Sequence, residues 1–190
     1  VKIILVSGLK RSGKDYVSSI IKDLTNSDNF AYADPIKDII SISMNLTQSK
    51  LDNYKNDNIK LLSRETNGYE EEIINFRSFL QNLGSEALKK YFGKDVWANI
   101  ALDSATRSNK DIIVMSDFRY YSEYKVFKES DYSVYTIKVI NDDLINEDKH
   151  SSETELDNMN FVFDFNIDNT GKPKDILEKV KDILEKIRKT

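Results

Sequence analysis

Gly8-Leu9-Lys10-Arg11-Ser12-Gly13-Lys14-Asp15, directly after the apolar run Val1 to Val6, is the stretch that decides the fold. It meets every position but the last of G-x-x-x-x-G-K-[ST], the pattern in which a strand turns into a helix around a phosphate group. Glycines at 8 and 13 let the backbone turn tightly enough for successive N–H groups to face inward. Lys14 brings a compact cation to the phosphates, and the helix expected to follow adds its positive end. Asp15 departs from the pattern. A carboxylate there is tolerated if it meets a metal through water, accepts helix N-terminal N–H bonds or pairs with a cation. The loop points to a nucleoside triphosphate with Mg2+, held by Gly8, Lys10, Arg11, Ser12, Gly13, Lys14, Asp15 and Tyr16.

Outward from the loop, residues 2–7 read as a buried strand and Tyr16 to Leu24 as a helix with Val17, Ile20, Ile21 and Leu24 on its inner stripe. A short strand is expected over Phe30 to Ala33, then a helix opened by Asp34-Pro35, where proline suits the first turn. Residues 43–70 are polar. A helix is expected from Glu71 to Tyr91, with Gly84 inviting a kink or close contact, and another over Trp97 to Ala105. Strands are expected at Ile112 to Met115, Tyr132 to Ile140 and Phe161 to Ile167, and Ile176 to Ile187 carries the cleanest helical stripe. Mostly apolar strands separated by helices predict an α/β domain with a parallel sheet covered on both faces. The expected organisation is a single domain, 1–190, with two substrate-covering excursions. Residues 43–76 would bind the acceptor and 141–160 would form a lid.

Composition narrows the chemistry. In 190 residues the formal charge is −4, so nucleic-acid binding through a broad basic surface is not expected. There is no cysteine and a single histidine, His150, which removes disulfides, thiolate chemistry, a histidine triad and an all-protein zinc site. The first apolar run is too short for a membrane span, and cytoplasmic residence is expected.

Phosphoryl transfer needs positive charge over the phosphates, magnesium and two substrates nearly in line, with no protein nucleophile. Asp117 follows an apolar strand, at the edge where open α/β sheets bind ligands, and with Asp15 it is a candidate for the metal; Arg119 would reach the same region. Arg77 and Gln81, four apart on one helical face, suit an acceptor phosphate and a base edge, and equally suit a solvated pair. Arg64 lies in the first excursion, Lys149 and Glu153 in the second, and Asn169 to Gly171 could meet an adenine. Trp97 and Phe92 are read as core aromatics.

These residues resemble the deoxynucleoside monophosphate kinases of tailed bacteriophages, a P-loop kinase family whose opening motif itself carries Asp at the position of Asp15. The resemblance continues through Asp34-Pro35-Ile36-Lys37-Asp38, Arg77, Phe79-Leu80-Gln81-Asn82-Leu83-Gly84, Trp97, Asp117-Phe118-Arg119 and His150-Ser151-Ser152-Glu153. It implies a P-loop NTPase fold and transfer of the ATP γ-phosphoryl group to a deoxynucleoside 5′-monophosphate. Lys14 would bind the phosphates, and Arg77 and Arg119 would hold the acceptor. Asp117 would support the magnesium or acceptor geometry, and Asp34, Lys37, Gln81, Gly84 and Trp97 would belong to the acceptor side. It further implies a homodimer and residence in an infected bacterial cytoplasm. Two departures stand out: Tyr16 replaces a small hydroxyl residue, and 141–160 contains no arginine. The loop, the Asp-x-Arg motif and Ser-Ser-Glu are also similar to animal-type phosphomevalonate kinases, and a nucleotide-responsive binding protein without acceptor turnover is a third reading.

Overall fold

The structure, a computed structural model, describes residues 1–54, 58–65, 68–141 and 151–190. In chain order the elements are β1 (Lys2–Ser7), α1 (Lys14–Thr25), β2 (Asp28–Phe30), α2 (Asp34–Met44), α3 (Gln48–Tyr54), β3 (Asn58–Glu65) and β4 (Gly68–Asn75). Then come α4 (Phe76–Asn82), a π-helical turn (Leu83–Leu88), α5 (Lys89–Phe92) and α6 (Val96–Arg107). The chain closes with β5 (Ile112–Met115), α7 (Tyr121–Lys128), β6 (Ser133–Ile140), α8 (Ser151–Asn158), β7 (Phe165–Asp168) and α9 (Pro173–Lys189). Contacts divide the chain into two compact units, Val1–Tyr32 with Trp97–Thr190, and Ala33–Val96.

The first unit is a five-stranded sheet in the order β2-β5-β1-β6-β7, parallel throughout. β1 takes the centre because Ile3, Ile4, Leu5 and Val6 are apolar on both sides, and all four are fully buried. Alternation along the strand sends Ile4 and Val6 to one face, where they join Val17 and Ile21 of α1 and Ile176, Val180, Ile183, Leu184 and Ile187 of α9. The α9 positions recur at three- and four-residue steps, so one helical face is entirely apolar. Ile3, Leu5, Ile113 and Met115, on the opposite face, are equally buried. Helices therefore cover both faces. The edge strands β2 and β7 have three and four residues, which leaves little unpaired backbone to recruit another chain.

The second unit holds α2 to α5 and the antiparallel hairpin of β3 and β4, paired from Asn58↔Asn75 to Glu65↔Gly68. Its core gathers Ile40, Leu51 and Phe76, with Ile36, Leu46, Phe79, Leu80 and Leu83 packed against them.

Several boundaries differ from the sequence reading. Residues 71–75 are strand, because the β-branched pair Ile73 and Ile74 completes the ladder with β3; the helix starts only at Phe76, where the Asn75 carboxamide oxygen accepts the Ser78 N–H at 3.2 Å. The π-helical turn falls over Gly84, the point at which a kink was expected. β2 ends at Phe30 instead of beginning there. The last strand starts at Phe165 because Phe161 and Phe163 turn aside into an edge-to-face cluster with Phe118 and Tyr124. α7 was not foreseen, and Phe92 is exposed, so it is no core aromatic.

Candidate phosphate site

Because every strand of the sheet runs the same way, the segments after β1, β5, β6 and β7 leave from one edge. The loop after β1 is closed by the Ser12 N–H donating to the Leu9 carbonyl at 3.0 Å, and α1 begins with the Val17 N–H on the Gly13 carbonyl. Gly13 has φ 92°, in the left-handed region, and Arg11 has φ 68°. Lys14 is buried at the first helical position, whereas Lys10, Arg11, Asp15 and Tyr16 are exposed. A Cβ on Gly8 would lie 2.4 Å from the Ser12 hydroxyl and 2.7 Å from the Val139 carbonyl, so only glycine fits.

The Ser12 hydroxyl is the informative atom of the loop. Ser12 is 1% exposed, and its Oγ has no hydrogen-bond partner among the described residues. A buried hydroxyl left unmade costs about 1–3 kcal/mol. A phosphate oxygen in the loop would accept from it. With the two glycines and buried Lys14, the residues present fit a polyphosphate.

The neighbouring segments brace this loop. Asn169, after β7, donates from Nδ2 to the Ser12 carbonyl at 2.7 Å, while its own N–H bonds the Ile140 carbonyl at 2.7 Å. Asp168 beside it accepts the Thr170 hydroxyl and N–H, at 2.7 and 2.9 Å, and these bonds hold its carboxyl below the usual range. After β5, the Phe118 N–H reaches the Val6 carbonyl at 3.0 Å, and Asp117 Oδ1 accepts the Tyr32 N–H at 2.7 Å. Buried Glu123 accepts the N–H groups of Arg119 and Tyr120, at 2.8 and 3.0 Å, which fixes the chain leaving Asp117-Phe118-Arg119. Burial first, then the charges of Glu123 and Asp117, push the Tyr32 phenol well above its ordinary value, and its hydroxyl has no partner among the described residues.

A cavity of about 280 Å³ opens beside the loop. Gly8, Leu9 and Ser12 line one side, Arg119 and Lys138 reach it, and Phe118, Leu156 and Phe163 form an apolar wall. Lys138 pairs with Asp157 of α8 at 2.5 Å and lies 5.6 Å from the Phe163 ring centre.

Of the expected site residues, the first unit brings Arg119 to the cavity beside the loop and Asn169 onto the loop, while Asp117 follows β5 and holds the Tyr32 N–H. Asn169 turns out to meet the loop itself through its side chain. Gly171 lies in the exposed turn before α9, Trp97 is 6% exposed on α6, and Glu153 is in the first turn of α8. Asp34, Lys37, Arg64, Arg77, Gln81 and Gly84 belong to the second unit. There Asp34 and Lys37 pair at 3.5 Å in the first turn of α2, Arg64 is on β3, Arg77 and Gln81 are on α4 and Gly84 is in the π-helical turn. Lys149 and His150 lie outside the described residues. The sequence reading missed Lys138, Asp157 and Glu123; a lone lysine among the apolar residues of β6 was the available signal. No helix among the described residues is long and apolar enough to cross a membrane.

The family described as deoxynucleotide monophosphate kinase matches residues 2–73 and 46–180. Among solved structures, TT1252 from Thermus thermophilus is 12% identical, with 97% of this chain and 96% of that chain covered and a TM-score of 0.55. Dephospho-CoA kinase from Campylobacter jejuni is 16% identical, with 100% and 98% covered and a TM-score of 0.53. At these identities the likeness is one of fold, and the fold is that of the P-loop NTPases. No curated protein sequence matches the chain.

Proposed function

Because the chain belongs to the deoxynucleotide monophosphate kinase family and is thus a P-loop phosphotransferase, we propose that it transfers the γ-phosphoryl group of ATP to a deoxynucleoside 5′-monophosphate. The Pγ–O bond to the β-phosphate breaks, a bond from Pγ to an oxygen of the acceptor phosphate forms, and the products are ADP and the deoxynucleoside diphosphate. The observation that carries this reading is the loop, where an unpartnered buried hydroxyl on Ser12, two sterically required glycines and buried Lys14 suit a polyphosphate.

Lys14 neutralises charge that grows on the transferring group, a contribution realised in the transition state. Arg119 faces the cavity beside the loop and is assigned to the acceptor phosphate. Arg77 and Gln81 are assigned to the acceptor phosphate and base on their chemistry, guanidinium to paired oxygens and carboxamide to a base edge. Asp15 and Asp117 are the carboxylates for magnesium. Among the described residues no cluster of three or more His, Cys, Asp or Glu gathers, so these two carboxylates would hold the ion together with the bound phosphates. When bound, the ion supplies charge neutralisation across the β- and γ-phosphates.

The test is a product-resolved screen with ATP and Mg2+, offering dTMP, dGMP, dCMP, dAMP, their ribose counterparts and phosphomevalonate as acceptors. A deoxynucleoside diphosphate is the expected product and its identity gives the base preference. Phosphomevalonate turnover, or ATP binding with no acceptor product, would replace the reading.

A further inference from the structure

Lys138 is the residue of β6 paired with Ser7, so its backbone lies one strand away from the residue that opens the phosphate loop. Ile137 and Val139 on either side of it point into the core shared with α1 and α9, and alternation sends Lys138 to the other face. There it lines the same cavity as Gly8, Leu9, Ser12 and Arg119. Its ammonium is 2.5 Å from Asp157, with side chains 31% and 52% exposed. Pairs this exposed hold their partners weakly. A polyphosphate brings several negative charges and many acceptor oxygens to the rim of the same cavity, against the single charge of Asp157. The segment 141–160 contains no arginine, and its candidate cation, Lys149, lies outside the described residues, whereas Lys138 lines the cavity beside the loop.

We propose that Lys138 is a second phosphate-binding cation of this site, held by Asp157 while the loop is free of nucleotide and passed to the phosphates when they arrive. The inference rests on the loop being a polyphosphate site, as the proposed function requires. Asp157 then acts as a competitor for Lys138, and the two residues have opposite effects on binding although they form one ion pair. That opposition separates the proposal from a purely structural salt bridge, whose two partners would lose equally.

The experiment is calorimetric titration of the full chain with tripolyphosphate, for wild type, Lys138→Met, Lys138→Arg and Asp157→Asn, alongside steady-state transfer to the preferred monophosphate. Thermal unfolding of each variant establishes that it is folded. Losing one charge-assisted contact weakens binding roughly 10- to 100-fold, which is the expectation for Lys138→Met. Lys138→Arg retains most of the affinity, and Asp157→Asn binds several-fold more tightly than wild type. Equal losses in Lys138→Met and Asp157→Asn, or changes under about twofold in both, overturn the proposal. If this opposite pattern is found but no acceptor is phosphorylated, the second cation stands and the kinase assignment falls. If transfer proceeds and Lys138→Met matches wild type, the kinase assignment stands and the second cation falls. A wild-type protein that neither binds tripolyphosphate nor phosphorylates an acceptor overturns both, and one that phosphorylates an acceptor without binding tripolyphosphate overturns the second cation alone.

Discussion

Gly13 sits under two constraints at once. Its φ of 92° suits only glycine without strain, and a Cβ there would lie 2.0 Å from Asn169 Nδ2. The same amide holds the Ser12 carbonyl. In a trans peptide the carbonyl and the following N–H point in opposite directions, so fixing the Ser12 oxygen on Asn169 turns the Gly13 N–H the other way. Asn169→Ala should therefore weaken ATP binding by roughly 2- to 10-fold, the worth of one net hydrogen bond, with the melting temperature little changed. Calorimetry with ATP reads this directly, and an unchanged affinity would refute the bracing role. Tyr32 supplies a second residue-level expectation. Its raised pKa means that above about pH 10 the unfolded chain releases a proton that the folded chain keeps, so stability falls as pH climbs. Tyr32→Phe removes that titration and the unpartnered hydroxyl together. It should be more stable by about 1 kcal/mol at pH 7 and lose less stability between neutral and alkaline pH. Equal alkaline slopes for the two proteins would show that Tyr32 does not govern that loss.

At the scale of elements, how much of the molecule could be read beforehand follows how much of each signal was local. The β1-loop-α1 unit was legible because its apolar run, glycines and lysine are consecutive. α9 was legible because five buried positions recur on one face. The hairpin of β3 and β4 was not, since 68–75 has acidic residues at 70–72 and passes without a break into the apolar positions of α4. Its strand character comes from pairing with 58–65, which a local pattern does not display. α7 escaped for a related reason. Its start is fixed by Glu123 reaching back to the N–H groups of Arg119 and Tyr120, without the Ser or Thr that usually marks a helix start. The same carboxylate anchors the residue assigned to the acceptor phosphate. Glu123→Ala should cost about 1–3 kcal/mol of stability, because two N–H groups lose their acceptor. It should also raise the KM for the monophosphate more than the KM for ATP. A stability loss with both KM values unchanged would confine Glu123 to the fold.

For the whole molecule, family membership and the loop fix the class of reaction, while the partners of the loop come from separate strands. Lys138, Arg119 and Asn169 are spread over the chain and each reaches the loop or the cavity beside it only because β5, β1, β6 and β7 lie side by side in parallel. Sequence could therefore propose Arg119 and Asn169 from motif and turn chemistry, but could not see that Lys138 lines the cavity beside the loop together with Arg119. The most direct measurement follows the label from [γ-32P]ATP with wild type and Lys14→Ala, with and without the preferred deoxynucleoside monophosphate. Label is expected in the β-phosphate of the deoxynucleoside diphosphate, in the wild-type reaction only when acceptor is present, with transfer slowed by roughly 100- to 1000-fold in Lys14→Ala. Label released as inorganic phosphate regardless of acceptor, or transfer unaffected by the loss of Lys14, would contradict the kinase assignment.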